Sequence, residues 1–183
     1  LRDGAVAACP RSPRSGYDNQ MADLSTAAAL HLHVAALTDT GRTRTNNEDS
    51  FLADAELGLY AVADGMGGHA AGEVASRMAM EMLREATLRA PDRDYLQRPT
   101  AANRRVILDW LARTVESINA AIFERAQQDP RLRGMGCTLD AALVRGAALF
   151  MAHVGDSRMY ALRGGVLYQM TEDHSLGQAL LAS

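Results

Sequence analysis

Apolar and polar positions alternate over residues 31–38 until Thr40-Gly41 breaks the pattern, which predicts a strand running into a turn. Two further short runs, residues 50–53 and 57–63, flank Asp54-Ala55-Glu56 and predict a hairpin. In the second run Leu59, Ala61 and Ala63 share one face and Tyr60, Val62 and Asp64 the other. Both faces are apolar until Asp64, so this strand is expected to be covered on both sides. After Gly67-Gly68 the period becomes helical: Val74, Met78 and Met82, flanked by Ala71, Ala75, Ala79, Leu83 and Ala86, form one stripe, with Glu73 in the first turn. Methionines at this spacing read as core packing rather than as a cofactor box. Residues 91–99, bounded by prolines, read as a loop. A second helix is predicted over about residues 100–128, with Ile107, Trp110, Leu111, Thr114, Ile118 and Ile122 on its buried side.

From Cys137 the pattern returns to strands, at residues 138–144, 147–154, 158–162 and 166–170, with turns at Arg145-Gly146 and Arg163-Gly164-Gly165. This predicts an antiparallel meander. Residues 175–183 begin another helix without a cap, so the chain reads as cut off. Strands, two helices, then strands imply sheet layers with helices packed outside, an α+β arrangement rather than an alternating parallel sheet.

The length of 183 residues suits one domain, expected over residues 26–183. With 48% apolar residues, 22% charged and a net charge of −3, the chain has the composition of a soluble globular protein and lacks the basic balance of a nucleic-acid binder. All 19 basic residues are arginine, a bias that a GC-rich genome explains. The absence of lysine excludes a phosphate loop with its Lys, Schiff-base enzymes and kinase-type phosphoryl transfer. Cys9 and Cys137 make neither a disulfide framework nor a CxxC zinc site.

No window approaches the roughly eighteen apolar residues of a membrane span, and a cytoplasmic location is expected. Residues 1–25 read as a disordered leader, with Met21 as the expected start. Val6-Ala7-Ala8-Cys9 has too short an apolar run before it to be a lipoprotein signal.

Two acidic elements attract attention. Arg44-Thr45-Asn46-Asn47-Glu48-Asp49 places an arginine and two carboxylates just before a strand, and reads as a solvated turn or as a site. Asp64-Gly65-Met66-Gly67-Gly68-His69 ends the strand that should lie beside it. A carboxylate followed by glycines that expose carbonyls suits a hard divalent cation, magnesium or manganese; the alternative is a turn whose glycines serve geometry alone. A third element, Gly155-Asp156-Ser157-Arg158, links two predicted strands, and Thr171-Glu172-Asp173-His174-Ser175 follows the last one. His153 and His174 read as satisfied polar groups rather than ligands.

In order, the runs RTNNEDSF, YAVADGMGGHAAGEVAS, GCTLDAALV and HVGDSRMYALRGGVLYQMTEDHS resemble the metal-dependent protein serine/threonine phosphatases of type 2C, in their bacterial branch. The likeness runs from about His33 to the C-terminus, the first two thirds of that domain. It implies a four-layer α-β-β-α sandwich of two antiparallel sheets between helices, incomplete at its C-terminal end, with two or three Mn2+ or Mg2+ ions in the cleft between sheets. By resemblance Asp64 bridges both metals, the Gly65 carbonyl binds one, Glu48 and Asp49 hold metal-bound waters, Arg44 grips the substrate phosphate, and Asp156 helps bind a third metal. The implied reaction is metal-assisted hydrolysis of phosphoserine and phosphothreonine in proteins, by in-line attack of activated water without a covalent phosphoenzyme. A cognate Ser/Thr kinase is the implied pathway partner.

Two departures accompany the likeness. Met66 stands where eukaryotic members carry a histidine, which leaves the leaving-group acid unassigned, with His69 a nearby candidate. The family supplies two further metal-binding aspartates from its last third, and this chain ends before either. The chain by itself is therefore expected to be impaired as an enzyme. A non-catalytic module that binds phosphoprotein or a regulatory partner is the alternative.

Overall fold

The computed structural model describes residues 31–67, 71–90, 99–100 and 102–174. Strands β1 (Asp49–Asp54) and β2 (Leu59–Met66) lead into helices α1 (Ala71–Leu88) and α2 (Arg104–Gln128), followed by a 3-10 turn at Pro130–Leu132. The strands β3 (Gly136–Cys137), β4 (Leu139–Arg145), β5 (Ala148–Val154), β6 (Tyr160–Arg163) and β7 (Val166–Gln169) complete it. One antiparallel sheet has the order β1-β2-β4-β5, with β3 extending it against the end of β2, and β6 and β7 form a separate hairpin. The α+β class with two antiparallel sheets is the observed fold. No helix among the described residues is long and apolar enough to cross a membrane.

The core lies between the helices and one face of the larger sheet. Leu59, Ala61 and Ala63 point inward from β2, and Ala75, Ala79 and Leu83 of α1 meet them fully buried. Alanine against alanine lets α1 lie close on the sheet, and Leu111, Ile118 and Ile122 of α2 then pack over α1. Thr100 and Asn103 bond reciprocally, backbone N–H to side-chain oxygen, and set the start of α2 at Arg104 rather than at Thr100. Leu143, fully buried at the centre of β4, tests this core. Leu143→Ala is expected to cost about 2–5 kcal/mol in urea unfolding, because the cavity lies between a sheet and helices that cannot collapse into it.

Several expectations need correction. Residues 31–38 are not a strand but an exposed segment without regular secondary structure, because among the described residues no neighbouring strand accepts their backbone ladder. The strand β2 is covered on one face only: the helices lie on one side, while Val62 remains 50% exposed on the other. Val74, Met78 and Met82 sit at the margin of the core rather than at its centre; the alanine flank faces the sheet because small residues permit the close approach, and Met80 joins it. Trp110 is likewise half-buried. The expected meander is two hairpins in separate sheets, since Gly155, with φ of +112°, turns the chain out of line after β5. The leader, most of the proline-bounded loop, His69 and the terminal helix lie outside the described residues.

Candidate active site

Asp49 and Asp64 stand directly opposite each other in the β1–β2 register, at the end of the hairpin away from its turn. Both carboxyls are exposed on the face turned from the helices. Partial burial pushes the Asp64 carboxyl above its ordinary pKa, and the charge and hydrogen bond of Asp49 push it further; Arg44 opposes the rise and the charge of Asp156 adds to it. Two carboxylates held together with so little compensation form a locus of negative charge that a cation would neutralise.

The approach to this pair comes from the segment before β1. Arg44 Nη1 lies 3.1 Å from Glu48 Oε2, so the guanidinium rests on a carboxylate while its side chain stays 64% exposed. Asn47 fixes the entry to the strand: its Oδ1 accepts from the Asp49 amide at 3.1 Å and its Nδ2 donates to Thr38 Oγ1 at 2.7 Å. Together Asp39, Thr40, Arg44, Asn47, Asp49 and Asp64 line a polar cleft of about 200 Å³.

Behind the pair the backbone packs without room for side chains. The Gly65 amide donates to the Glu48 carbonyl at 3.1 Å. A Cβ on Gly65 would run into the Gly72 carbonyl and lie 2.5 Å from the Glu48 carbonyl oxygen. A Cβ on Gly72 would stand 2.9 Å from both Glu48 Oε1 and the Gly65 carbonyl oxygen. The glycines thus bring the Glu48 carboxylate, the Gly65 carbonyl and the first turn of α1 to one place, where the helix N-terminus favours the negative charge.

The beginning of β4 supports Asp64 from the other side. Thr138 donates its amide to the Asp64 carbonyl and accepts the Asp64 amide on its hydroxyl, both at 2.9 Å. The same hydroxyl meets Ser157 Oγ at 2.7 Å, and so connects Asp64 to the loop that carries Asp156. Cys137, next in the chain, is no nucleophile: burial first and the charge of Asp64 second push its thiol up to about 11.

The expected residues therefore converge. Arg44, Glu48, Asp49, Asp64 and Gly65 share one corner, and Asp156 lies close enough for its charge to reach Asp64. Sequence reasoning missed Asn47, Thr138 and Gly72. Asn47 carries a turn-former's signal, Gly72 a glycine inside a helical run, and Thr138 none beyond its hydroxyl. Among the described residues no three Asp, Glu, His or Cys side chains form a complete cation cage. The Asp49–Asp64 pair with the Gly65 carbonyl is nonetheless an all-oxygen set, which suits Mg2+ or Mn2+ and disfavours zinc. A cation here would need further ligands from outside these groups.

A family model described as protein phosphatase 2C matches residues 38–179. The chain is 43% identical over 152 residues to the serine/threonine protein phosphatase PstP of Mycobacterium tuberculosis, covering 83% of this chain and 27% of that protein. It is 40% identical over 153 residues to the serine/threonine phosphatase stp of Listeria monocytogenes, covering 82% of this chain and 58% of that one. The crystal structure of the PstP catalytic domain in complex with two manganese ions superposes with a TM-score of 0.66 at 42% identity, over 81% of this chain and 58% of that domain. The chain thus spans less than two thirds of each of these relatives.

Proposed function

Because this chain belongs to the protein phosphatase 2C family, we propose that the protein it forms part of hydrolyses phosphoserine and phosphothreonine in proteins with the help of Mn2+ or Mg2+. The observation that carries this reading is the opposition of Asp49 and Asp64, two carboxylates in register with the Arg44 guanidinium beside them. The manganese-bound PstP domain adds to it as a similar fold with that metal.

In this reading Asp64 and the Gly65 carbonyl would hold the cations, Glu48 and Asp49 would hold their waters, and Asp156 would serve a further, marginal ion. When bound, the cations supply an acidified water as nucleophile. Arg44 turns from Glu48 to the substrate phosphate, which its planar guanidinium can hold by two parallel hydrogen bonds. The side chain of Met66, 63% exposed, has no proton to give a leaving group. Residues 26–183 are proposed as part of one catalytic domain, in a cytoplasmic protein whose substrates a Ser/Thr kinase supplies.

The test is hydrolysis of a small phosphate ester by a protein that contains the complete domain. Activity should require Mn2+ or Mg2+ and vanish in excess EDTA; undiminished turnover with chelator would refute it. Arg44→Ala should raise KM by roughly tenfold to a hundredfold, the worth of a charged hydrogen bond or two, and lower kcat less. Unchanged KM and kcat would remove Arg44 from phosphate binding. A second reading is a module that binds phosphoprotein without hydrolysis, since among the described residues the cation cage is incomplete. Metal-independent binding of a phosphopeptide with no turnover would support it.

A further inference from the structure

The buried pair Asp140–His153 takes no part in the chemistry proposed above. Asp140 of β4 and His153 of β5 are register partners, 2% and 7% exposed, and His153 Nδ1 lies 2.5 Å from Asp140 Oδ1. The other ring nitrogen, Nε2, lies 2.7 Å from the carbonyl oxygen of Glu172. A carbonyl can only accept, so Nε2 carries a hydrogen, and whichever way Asp140 and Nδ1 share theirs, that donor points at Glu172. Asp140 Oδ2 has no partner in the structure. Such a group is costly to bury, which argues that its place is set by the histidine it orients.

Glu172 belongs to a short segment strapped across the loop after β5. The His174 amide donates to the Gly155 carbonyl at 2.7 Å, and the Gly155 amide to His174 Nδ1 at 3.4 Å. Arg158 makes two parallel bonds to the Asp173 carboxylate, at 2.8 and 2.6 Å, and the Met159 amide donates to Thr171 Oγ1 at 3.1 Å. Apart from the bond to the buried Thr171, these bonds lie at the surface. The bond from His153 to Glu172 roots the strap in the interior of the larger sheet.

We propose that His153, oriented by Asp140, is a positioning residue: through the Glu172 carbonyl it holds the 171–174 strap on the loop that carries Asp156, and so keeps the Asp156 charge within reach of Asp64. This rests on the reading of Asp156 as a cation ligand. His153 itself touches neither cation nor substrate.

Two measurements on a protein that contains the complete domain test it, amide hydrogen exchange and Mn2+ binding by electron paramagnetic resonance. His153→Phe, which fills the space but cannot donate, should speed exchange of the His174 and Gly155 amides at least tenfold and leave the Gly65 amide unchanged. Mn2+ binding should weaken by roughly tenfold, the low end of what loss of an outer-shell partner costs. His153→Gln, which keeps a donor near the Nε2 position, should restore most of both. Asp156→Asn should weaken Mn2+ binding without altering exchange. Unchanged exchange in His153→Phe, or equal loss in the Phe and Gln variants, overturns the positioning role and leaves the reading of Asp156 standing. Mn2+ binding indifferent to Asp156→Asn overturns that reading instead, whatever exchange shows. Should the Phe variant not fold, the ring nitrogens of the unmodified chain decide the matter: a protonated, hydrogen-bonded Nε2 supports the role, and a bare Nε2 refutes it.

Discussion

Gly65→Ala is expected to unseat the junction of β1, β2 and α1. The added methyl would meet the Gly72 carbonyl on one side and stand 2.5 Å from the Glu48 carbonyl oxygen on the other. Neither obstacle is the end of a flexible side chain. Moving the first shifts the opening turn of α1, and moving the second breaks the bond from the Gly65 amide to Glu48. Overpacking among side chains costs about 1–3 kcal/mol, and collision with two backbone carbonyls belongs at or above the top of that range. Against a total stability of about 5–15 kcal/mol this is a large fraction. Gly164→Ala is the control: its Cβ meets nothing within 4 Å, so only the strain of φ +57° remains, about 1–2 kcal/mol. Urea midpoints read both. Equal midpoint shifts for the two variants would show that the close approach at Gly65 relaxes without cost.

Asp64→Asn should abolish function and improve the metal-free fold at once. In the complete domain, loss of the carboxylate proposed to hold the cations is expected to lower turnover on the order of a hundredfold or more, since the Lewis-acid contribution it would anchor is several kcal/mol. Stability moves the other way. The Asp64 carboxyl has its pKa raised by burial and by Asp49, so the native state holds the Asp64 proton more tightly than the unfolded chain does. Below the unfolded value there is no penalty. As pH climbs through that value and on through the raised native one, the penalty appears, and it is fully present at neutral pH. Asparagine escapes it. Without metal at pH 7 the Asn variant should melt above the parent, with a gap that narrows below about pH 4 and in high salt, because the site is exposed and screened. Added Mn2+ should raise the melting temperature of the parent and leave the variant unmoved. A variant that gained as much from Mn2+ as the parent would take Asp64 out of the cation site.

Periodicity made the local elements legible, and what failed were statements about partners. The hairpin of β1 and β2 and both helices are encoded in short stretches, where a period of two or of 3.6 is set by neighbours in the chain. Residues 31–38 have the alternation of a strand too, but a strand exists only against another strand. The two-sided cover inferred for β2 failed for the same reason: Val62 is apolar whether or not anything lies above it. In the site, Arg44, Glu48, Asp49 and Asp64 were legible because they cluster within two short runs. Thr138 was not, because a threonine before a strand is ordinary until the register sets its hydroxyl against Asp64. Gly72 was passed over as one glycine in a helix, and only the distance to Gly65 gives it a reason.

The two opposed carboxylates are unequal in their footing. Asp64 sits on a strand with neighbours on both sides, its amide and carbonyl both tied to Thr138, whereas Asp49 begins β1, which among the described residues pairs with β2 alone and lies at the edge of the sheet. Edge strands fray before interior ones, and a strand's first residue frays before its middle. Warming should therefore part the pair from one side. Asp64 acts as the fixed jaw and Asp49 as the hinged one, so an ion seated between them would be released by the loosening of β1 well before the sheet itself came apart.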